Sequence, residues 1–156
     1  MKQSAGVLLY KIIDSNIQFF LVHPGGPFFI KRNEGWWTIP KGELLDGEKP
    51  LMAAMREFEE ETGYKPIKPF IELQPITQKA GKKVYCWASE GNLDADLIQS
   101  NTFEMIWPPK SGILKSFPEV DKAGWFNYDA AILLINERQI NLLDQLIAIL
   151  QEKHLI

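Results

Sequence analysis

Cysteine is almost missing from this sequence, since Cys86 is its only one. A single cysteine cannot form an intrachain disulfide and cannot supply the thiolates of a Cys-rich zinc site. Stability must therefore come from an ordinary core, which a chain of 156 residues is long enough to bury. An apolar share of 46% and a charged share of 24% are near the averages for globular proteins, so disorder is not expected.

Long apolar runs and long basic runs are absent as well. The apolar stretch Gly6–Tyr10 is followed at once by Lys11, so it is too short for a membrane span and lacks the layout of a signal peptide. The net charge of −3 disfavours binding to bulk DNA or RNA, although a local basic pocket stays open. These absences predict a cytoplasmic enzyme or binding domain with neither a membrane nor bulk nucleic acid as partner.

Strand and helix patterns interleave along the chain, and no repeat or linker-like break interrupts them. This order predicts a single layered α/β domain over residues 1–156. The predicted strands are Ser4–Lys11, Ile17–His23, Phe70–Pro75, Lys83–Glu90, Thr102–Ile106 and Gly124–Phe126. The predicted helices are Leu51–Thr62, Asp129–Ile135 and about Ile140–Lys153. Prolines and glycines predict irregular structure at His23–Pro27 and a long loop from Trp107 to Pro118.

The helix Leu51–Thr62 carries the clearest chemical pattern. At about 100° per residue, Glu57, Glu60 and Glu61 share one face. An apolar stripe lies beside that face and comprises Leu51, Met55, Phe58 and Thr62. Like charges at this spacing destabilise an isolated helix, so the cluster indicates a bound cation, and oxygen ligands suit Mg²⁺ or Mn²⁺. A solvated acidic face is the simpler alternative.

Residues 42–64 resemble the Nudix box, G-x5-E-x7-R-E-U-x-E-E-x-G-U with U apolar, at every defined position. The matching residues are Gly42, Glu48, Arg56, Glu57, Phe58, Glu60, Glu61, Gly63 and Tyr64. So many positions at fixed spacing favour a metal site over a solvated face. The layout of the chain, including its HPGGP, WWTIPKG and WPP segments, is similar to small bacterial Nudix proteins described as predicted nucleotide pyrophosphohydrolases.

The resemblance implies a Nudix-type α/β/α sandwich, in which a mixed sheet lies between helices and the box forms a loop–helix–loop catalytic module. It also implies a Mg²⁺-dependent pyrophosphohydrolase, with Mn²⁺ as a substitute ion. Such an enzyme cuts a phosphoanhydride bond in a nucleoside diphosphate linked to another group, by attack of a metal-activated water on phosphorus. The expected substrate is a nucleoside triphosphate or a dinucleoside polyphosphate. Many relatives are dimers, so a homodimer stays open.

Roles for individual residues also follow from the resemblance. Glu60 and Glu61 correspond to the principal metal ligands, and Glu57 to a third ligand or to the base for the attacking water. The backbone carbonyl of Lys41 often joins the coordination in similar enzymes. Arg56 usually orients the glutamates by ion pairing.

A further acidic ligand commonly comes from a loop, about six residues before a tryptophan. Glu119 stands at that spacing before Trp125 and is the first candidate; Glu104 is the second, and Asp121 a weaker one. Glu48, inside the box, is expected to be a supporting carboxylate.

Substrate contacts are expected outside the acidic helix. The candidates for phosphate contacts are Lys31, Arg32 and Lys41. Trp107 together with Lys110 could hold a base or a distant phosphate, because any base offers a π-face. His23 is interpreted as a residue that caps a loop. Trp37 is expected in the core.

Motifs typical of individual Nudix sub-families do not identify the substrate of this chain. Diadenosine tetraphosphate hydrolases usually carry a tyrosine shortly beyond the box, but the corresponding position here lies in Ala80–Lys82, and Tyr85 comes slightly too late. That substrate is therefore less favoured but still open. A regulatory Nudix domain that binds nucleotide without turnover is the alternative class. Such regulators usually have an eroded box, and this box is intact.

Overall fold

The computed structural model describes residues 2–156. Its strands are β1 (Gln3–Ile13), β2 (Asn16–Pro24), β3 (Lys41–Glu43), β4 (Phe70–Thr77), β5 (Lys83–Glu90), β6 (Thr102–Ile106), β7 (Leu114–Pro118) and β8 (Val120–Phe126). Its helices are α1 (Pro50–Thr62), α2 (Tyr128–Leu134) and α3 (Ile140–Glu152). Within this range, none of the helices has the length and apolar character needed to cross a bilayer.

Six strands form one mixed sheet, in the order β4-β5-β1-β2-β8, with β3 paired to β1 outside that path. Strand β1 runs parallel to β5 and antiparallel to β2 and β3. Strands β6 and β7 form a separate antiparallel hairpin. The mixed sheet that the sequence predicts is confirmed.

Two cores lie on opposite faces of this sheet, and β1 contributes to both because successive side chains of a strand point to opposite faces. Ala5, Val7 and Leu9 pack in the core that contains α1. Leu8 and Tyr10 pack in the core that contains α2 and α3. The central strand is thus buried on both sides, and helices cover both faces of the sheet, as expected for an α/β/α sandwich.

Two predictions about irregular segments were wrong. The expected long loop after Ile106 contains strand β7, which pairs with β6 so that Phe117 lies opposite Phe103. The expected irregular segment at His23 begins later, because β2 continues to Pro24 and pairs there with Val120 across a register shift. A proline is tolerated at such a bulge because the ladder is already interrupted. Both pairings join segments far apart in sequence, which local patterns do not show.

Helix α1 begins with Pro50 at its first turn and ends at Gly63, which adopts a left-handed φ of 80°. Both ends were predicted from the sequence. The predicted separation between an apolar stripe and an acidic face is incomplete, however. Ala53 and Ala54 are buried on the acidic side of the helix, and Glu61 is only 8% exposed. Two small side chains let the helix lie close to the sheet, so part of the carboxylate face is buried.

Candidate active site

Three carboxylates meet at one point although they come from two distant segments. Glu57 and Glu60 lie on α1, and Glu119 lies at the corner between β7 and β8. One oxygen of each lies within 4.8 Å of the others. The main chain of Asn101 joins the two segments: its amide donates to the carbonyl of Glu60 (2.7 Å), and its carbonyl accepts from the amide of Glu119 (2.9 Å). Backbone hydrogen bonds therefore fix the distance between the helix and the corner.

Arg56 occupies the centre of the acidic group. Its Nε and Nη2 each donate to one oxygen of Glu48 at 2.9 Å. Its Nη1 donates to Glu57 at 2.9 Å and to Glu60 at 3.1 Å, and Nη2 also donates to the Glu43 carbonyl. The bidentate bond from Arg56 lowers the pKa of Glu48. One guanidinium thus holds the box loop and two of the clustered carboxylates in a fixed arrangement.

Glu61 lies deeper than the other three carboxylates. It lines a cavity of about 160 Å³ together with Lys41 and Glu119, and its oxygens are not among the three that meet within 4.8 Å. Burial raises the pKa of Glu61 well above its ordinary value, and the charge of Glu57 raises it further. Burial lowers the pKa of Lys41, although the nearby glutamates oppose that change. Burial in this small cavity thus disfavours the ionised forms of both Glu61 and Lys41.

The pKa values of Glu57 and Glu119 are raised for the same reason. Burial is the larger cause for both, and Glu60 adds repulsion to each, while Arg56 opposes the increase at Glu57. Several carboxylates therefore share a partly buried space in which their ionised forms repel one another. A divalent cation would favour all the ionised forms at once.

Gly42 has a steric reason to be glycine. A Cβ built at this position would lie 2.1 Å from the carboxyl carbon of Glu57. Strand β3 thus brings its backbone directly against the carboxylate group, leaving no room for a side chain. Among the residues that the structure describes, the metal-ligating groups that converge here are three carboxylates, with no thiol and no imidazole. This donor set fits a hard cation such as Mg²⁺ or Mn²⁺.

A second and larger cavity, of about 870 Å³, lies beside the carboxylate corner. Its lining comes from the connection between β2 and β3, from the β6–β7 hairpin and from residues that flank Glu119 in the sequence. The lining residues are Gly26, Pro27, Phe28, Ile30, Lys31, Arg32, Trp107, Phe117, Pro118 and Asp121. Phe28 and Trp107 meet edge to face, with ring centroids 5.3 Å apart. The cavity thus offers aromatic surface and two cations next to the acidic cluster.

The residues expected to contact substrate do not all come together. Lys31, Arg32 and Trp107 line the large cavity, and Lys41 lines the small one. Lys110 lies in an exposed turn at the tip of the hairpin, outside both linings. Glu104 faces Ser116 within the hairpin and is not part of the carboxylate group. Trp37 is buried, as expected.

Sequence patterns missed the contributions of Asn101 and Asp121. Asn101 acts through its main chain, so its side-chain identity carries no signal. Asp121, a weak candidate for a metal ligand, instead lies 2.7 Å from the ring of His23 and lines the large cavity. His23 also contacts the carbonyl of Arg32, which agrees with its interpretation as a loop-capping residue.

The family model described as the NUDIX domain matches residues 2–146. This chain belongs to the NUDIX family. Over 98 residues, 62% of its length, the NUDIX chain is 31% identical to an 8-oxo-(d)GTP phosphatase of Mycolicibacterium smegmatis, of which 25% is covered. Over 53% of its length it is 30% identical to the asymmetrical bis(5'-nucleosyl)-tetraphosphatase of Rattus norvegicus, of which 56% is covered. The aligned segments thus span about half or less of these curated relatives.

Solved structures share the fold of this NUDIX chain. A C. elegans Ap4A hydrolase in a binary complex superposes with a TM-score of 0.69 and 22% identity, over 97% of this chain and 99% of that one. Identity at this level shows a common fold and no more. The predicted α/β/α architecture is therefore that of the NUDIX family.

Proposed function

We propose that this NUDIX chain is a metal-dependent pyrophosphohydrolase that cuts a phosphoanhydride bond in a nucleotide. The observation that carries the proposal is the convergence of Glu57, Glu60 and Glu119 within 4.8 Å. Arg56 offsets the charge of Glu57 and Glu60 only in part, whereas a divalent cation would stabilise all three ionised carboxylates together. The intact box and the family membership support catalysis rather than binding alone.

The residues that would hold the cation are Glu57, Glu60, Glu61, Glu119 and the carbonyl of Lys41. When bound, the cation neutralises phosphate oxygens and lowers the pKa of a coordinated water. Glu57 would either bind the cation or take the proton of the attacking water, since it lies within the cluster and its side chain is only 13% exposed. Arg56 keeps Glu57 and Glu60 in position throughout.

The substrate that we propose is a nucleoside triphosphate or a dinucleoside polyphosphate. The names of the two curated relatives both point to substrates of that class. The large cavity supports it, because Phe28 and Trp107 offer faces to a base and Lys31 and Arg32 offer positive charge to phosphates. We further propose a cytoplasmic location for the single domain, and a measurement of mass in solution distinguishes a monomer from a homodimer.

A nucleotide panel tests the proposal. The purified protein is incubated with canonical and oxidised nucleoside triphosphates, dinucleoside polyphosphates, ADP-ribose and nucleotide sugars, with Mg²⁺ or EDTA, and the products are separated by chromatography. We expect hydrolysis of at least one triphosphate or dinucleoside polyphosphate with Mg²⁺ and none with EDTA. Tight binding of a nucleotide without turnover would instead identify a regulatory domain.

Two isosteric variants test the metal site, and a third on the same helix is their matched control. Glu60→Gln and Glu61→Gln remove a charge from the acidic group, whereas Glu59→Gln changes an exposed neighbour on the same helix. We expect the first two to lose at least about a hundredfold in kcat, or roughly 2.7 kcal/mol of barrier, while Glu59→Gln keeps normal rates. Near-normal rates for both Glu60→Gln and Glu61→Gln, or full activity in EDTA, would exclude the metal site.

A further inference from the structure

His23 is completely buried, and both of its ring nitrogens face hydrogen-bond acceptors. Nε2 lies 2.6 Å from the carbonyl oxygen of Arg32, which can only accept. Nδ1 lies 2.7 Å from Oδ1 of Asp121. Nε2 therefore donates to that carbonyl, and Nδ1 holds the carboxyl group of Asp121 in place. His23 thus ties the connection that carries Lys31 and Arg32 to the start of β8.

Asp121 keeps one oxygen for another partner. Its Oδ1 is bound to His23, and its side chain is 25% exposed and lines the large cavity. Within residues 2–156, Oδ2 accepts no hydrogen bond, and no Lys or Arg nitrogen lies within 4.0 Å of the carboxylate. His23 therefore orients the Asp121 carboxylate through Oδ1. Neither Lys31 nor Arg32, the cations of the same cavity, forms an ion pair with it.

Besides the cations Lys31 and Arg32, a group that enters this cavity meets two kinds of surface. Phe28, Trp107 and Phe117 provide apolar and aromatic faces. Oδ2 of Asp121 provides an acceptor that no donor among residues 2–156 occupies. A planar ring fits the first surface, and an N–H at its edge fits the second. A ring that presents a carbonyl oxygen at the same edge would face the carboxylate oxygen and be repelled.

We infer that Asp121, oriented by His23, is the specificity-determining residue of this cavity and selects a nucleobase that presents an exocyclic amino group. The inference rests on the proposed function, because it takes a nucleotide as the ligand. In this arrangement the base lies beside Asp121 and the phosphates extend toward Glu119. The two carboxylates are two residues apart in the chain. Asp121 is thus assigned to recognition and Glu119 to the acidic cluster.

Matched substrate pairs test this inference, since one member of each pair carries an exocyclic amino group and the other does not. The pairs are GTP and ITP, ATP and ITP, and CTP and UTP. We expect the wild type to prefer the amino-bearing member in at least one pair by about tenfold in kcat/KM, because the wrong base leaves the carboxylate unpaired. Asp121→Asn presents an amide instead, and we expect its preference to fall below about threefold.

Two further variants separate recognition from folding. His23→Gln removes the bond that orients Asp121, so we expect it to lose the same preference while Asp121 is retained. Asp129→Asn, an exposed change on α2, should keep the wild-type preference. Both members of a pair are cut by the same active molecules, so the ratio does not depend on the fraction of protein that is folded. Equal rates within all three pairs for the wild type, or an unchanged ratio in Asp121→Asn, would overturn the inference.

Binding measurements distinguish a failure of this inference from a failure of the proposed function. Dissociation constants for the same nucleotide pairs are measured by calorimetry for the wild type and for Asp121→Asn. If no nucleotide is hydrolysed but the amino-bearing members bind more tightly in an Asp121-dependent way, the hydrolase proposal fails and the inference stands. If nucleotides are hydrolysed but every pair binds equally, the assignment of Asp121 is wrong.

Discussion

The amide of Asn101 donates a 2.7 Å hydrogen bond to the carbonyl of Glu60 on the last turn of α1. Because the Asn101 carbonyl also accepts from the amide of Glu119, one residue sets the position of the corner relative to the helix. The amide of Gly25 in turn donates to the Glu119 carbonyl at 2.9 Å, which joins the same corner to the end of β2. The acidic cluster is thus positioned by main-chain bonds from three segments, while Arg56 orients the side chains of Glu57 and Glu60.

Glu119 should matter far more than Glu104. Glu119→Gln removes one of the three converging carboxylates, so we expect kcat to fall by about tenfold or more, equivalent to roughly 1.4 kcal/mol of barrier. Glu104→Gln changes a carboxylate of the hairpin that lies outside the cluster, and we expect little change. Steady-state kinetics with the best substrate measure both variants. A larger loss for Glu104→Gln would mean that the loop ligand is misplaced.

Gly42→Ala should abolish activity without unfolding the protein. The added Cβ would lie 2.1 Å from the Glu57 carboxyl group, so that carboxylate or strand β3 must move. Gly47→Ala is the matched control, because Gly47 has open space around it but a left-handed φ of 76°. We expect Gly47→Ala to lower stability by about 1 kcal/mol while kcat is kept. Kinetics and thermal melting of both variants separate the two effects, and a fully active Gly42→Ala would refute the steric argument.

Stability without metal should fall as the pH rises, and Glu61 should be a main cause. The pKa of Glu61 is raised in the folded protein from an ordinary value of 4.5. The stabilising contribution of its proton is therefore complete below about pH 4.5 and is lost as the pH rises through the folded pKa. In EDTA we expect Glu61→Gln, which stays neutral, to melt roughly 2–4 °C above the wild type at pH 8 and at the same temperature near pH 4.

Mg²⁺ provides the control for that measurement. The cation stabilises the ionised carboxylates, so we expect it to raise the melting temperature of the wild type at pH 8 and to have a smaller effect on Glu61→Gln. Identical pH profiles for the two proteins in EDTA would show that Glu61 is not the group responsible.

The hairpin should contribute to substrate binding through Trp107 and not through Lys110. Trp107 lines the large cavity against Phe28, whereas Lys110 lies outside it. We expect Trp107→Ala to raise KM by about tenfold with a smaller change in kcat, the pattern of lost uniform binding. Lys110→Ala should leave both constants near normal. A Trp107→Ala variant that melts normally and keeps its KM would show that this surface does not recognise the substrate.

The spacing of residues along the chain was enough to predict most of the helices and strands and part of the acidic site. The helical period places Glu57, Glu60 and Glu61 on one side of α1, and Pro50 and Gly63 mark its ends, because capping and periodicity act within a few residues. The short apolar runs in β1 and β2 likewise predict strands of the sheet. Strand β7 was not predicted, because Leu114–Pro118 alone has neither strong alternation nor a strong turn signal. It is a strand because it pairs with β6.

The sequence by itself determined the acidic helix, the family and the layered architecture, since those depend on residue type and short-range spacing. Only the tertiary structure decided which distant groups join the helix. It brought Glu119 to Glu57 and Glu60, buried Glu61 beside Lys41, set Asp121 against His23 and left Lys110 outside the cavity. The physical reason is that these contacts depend on sheet register and on main-chain hydrogen bonds between segments, and a backbone amide is the same in every residue except proline.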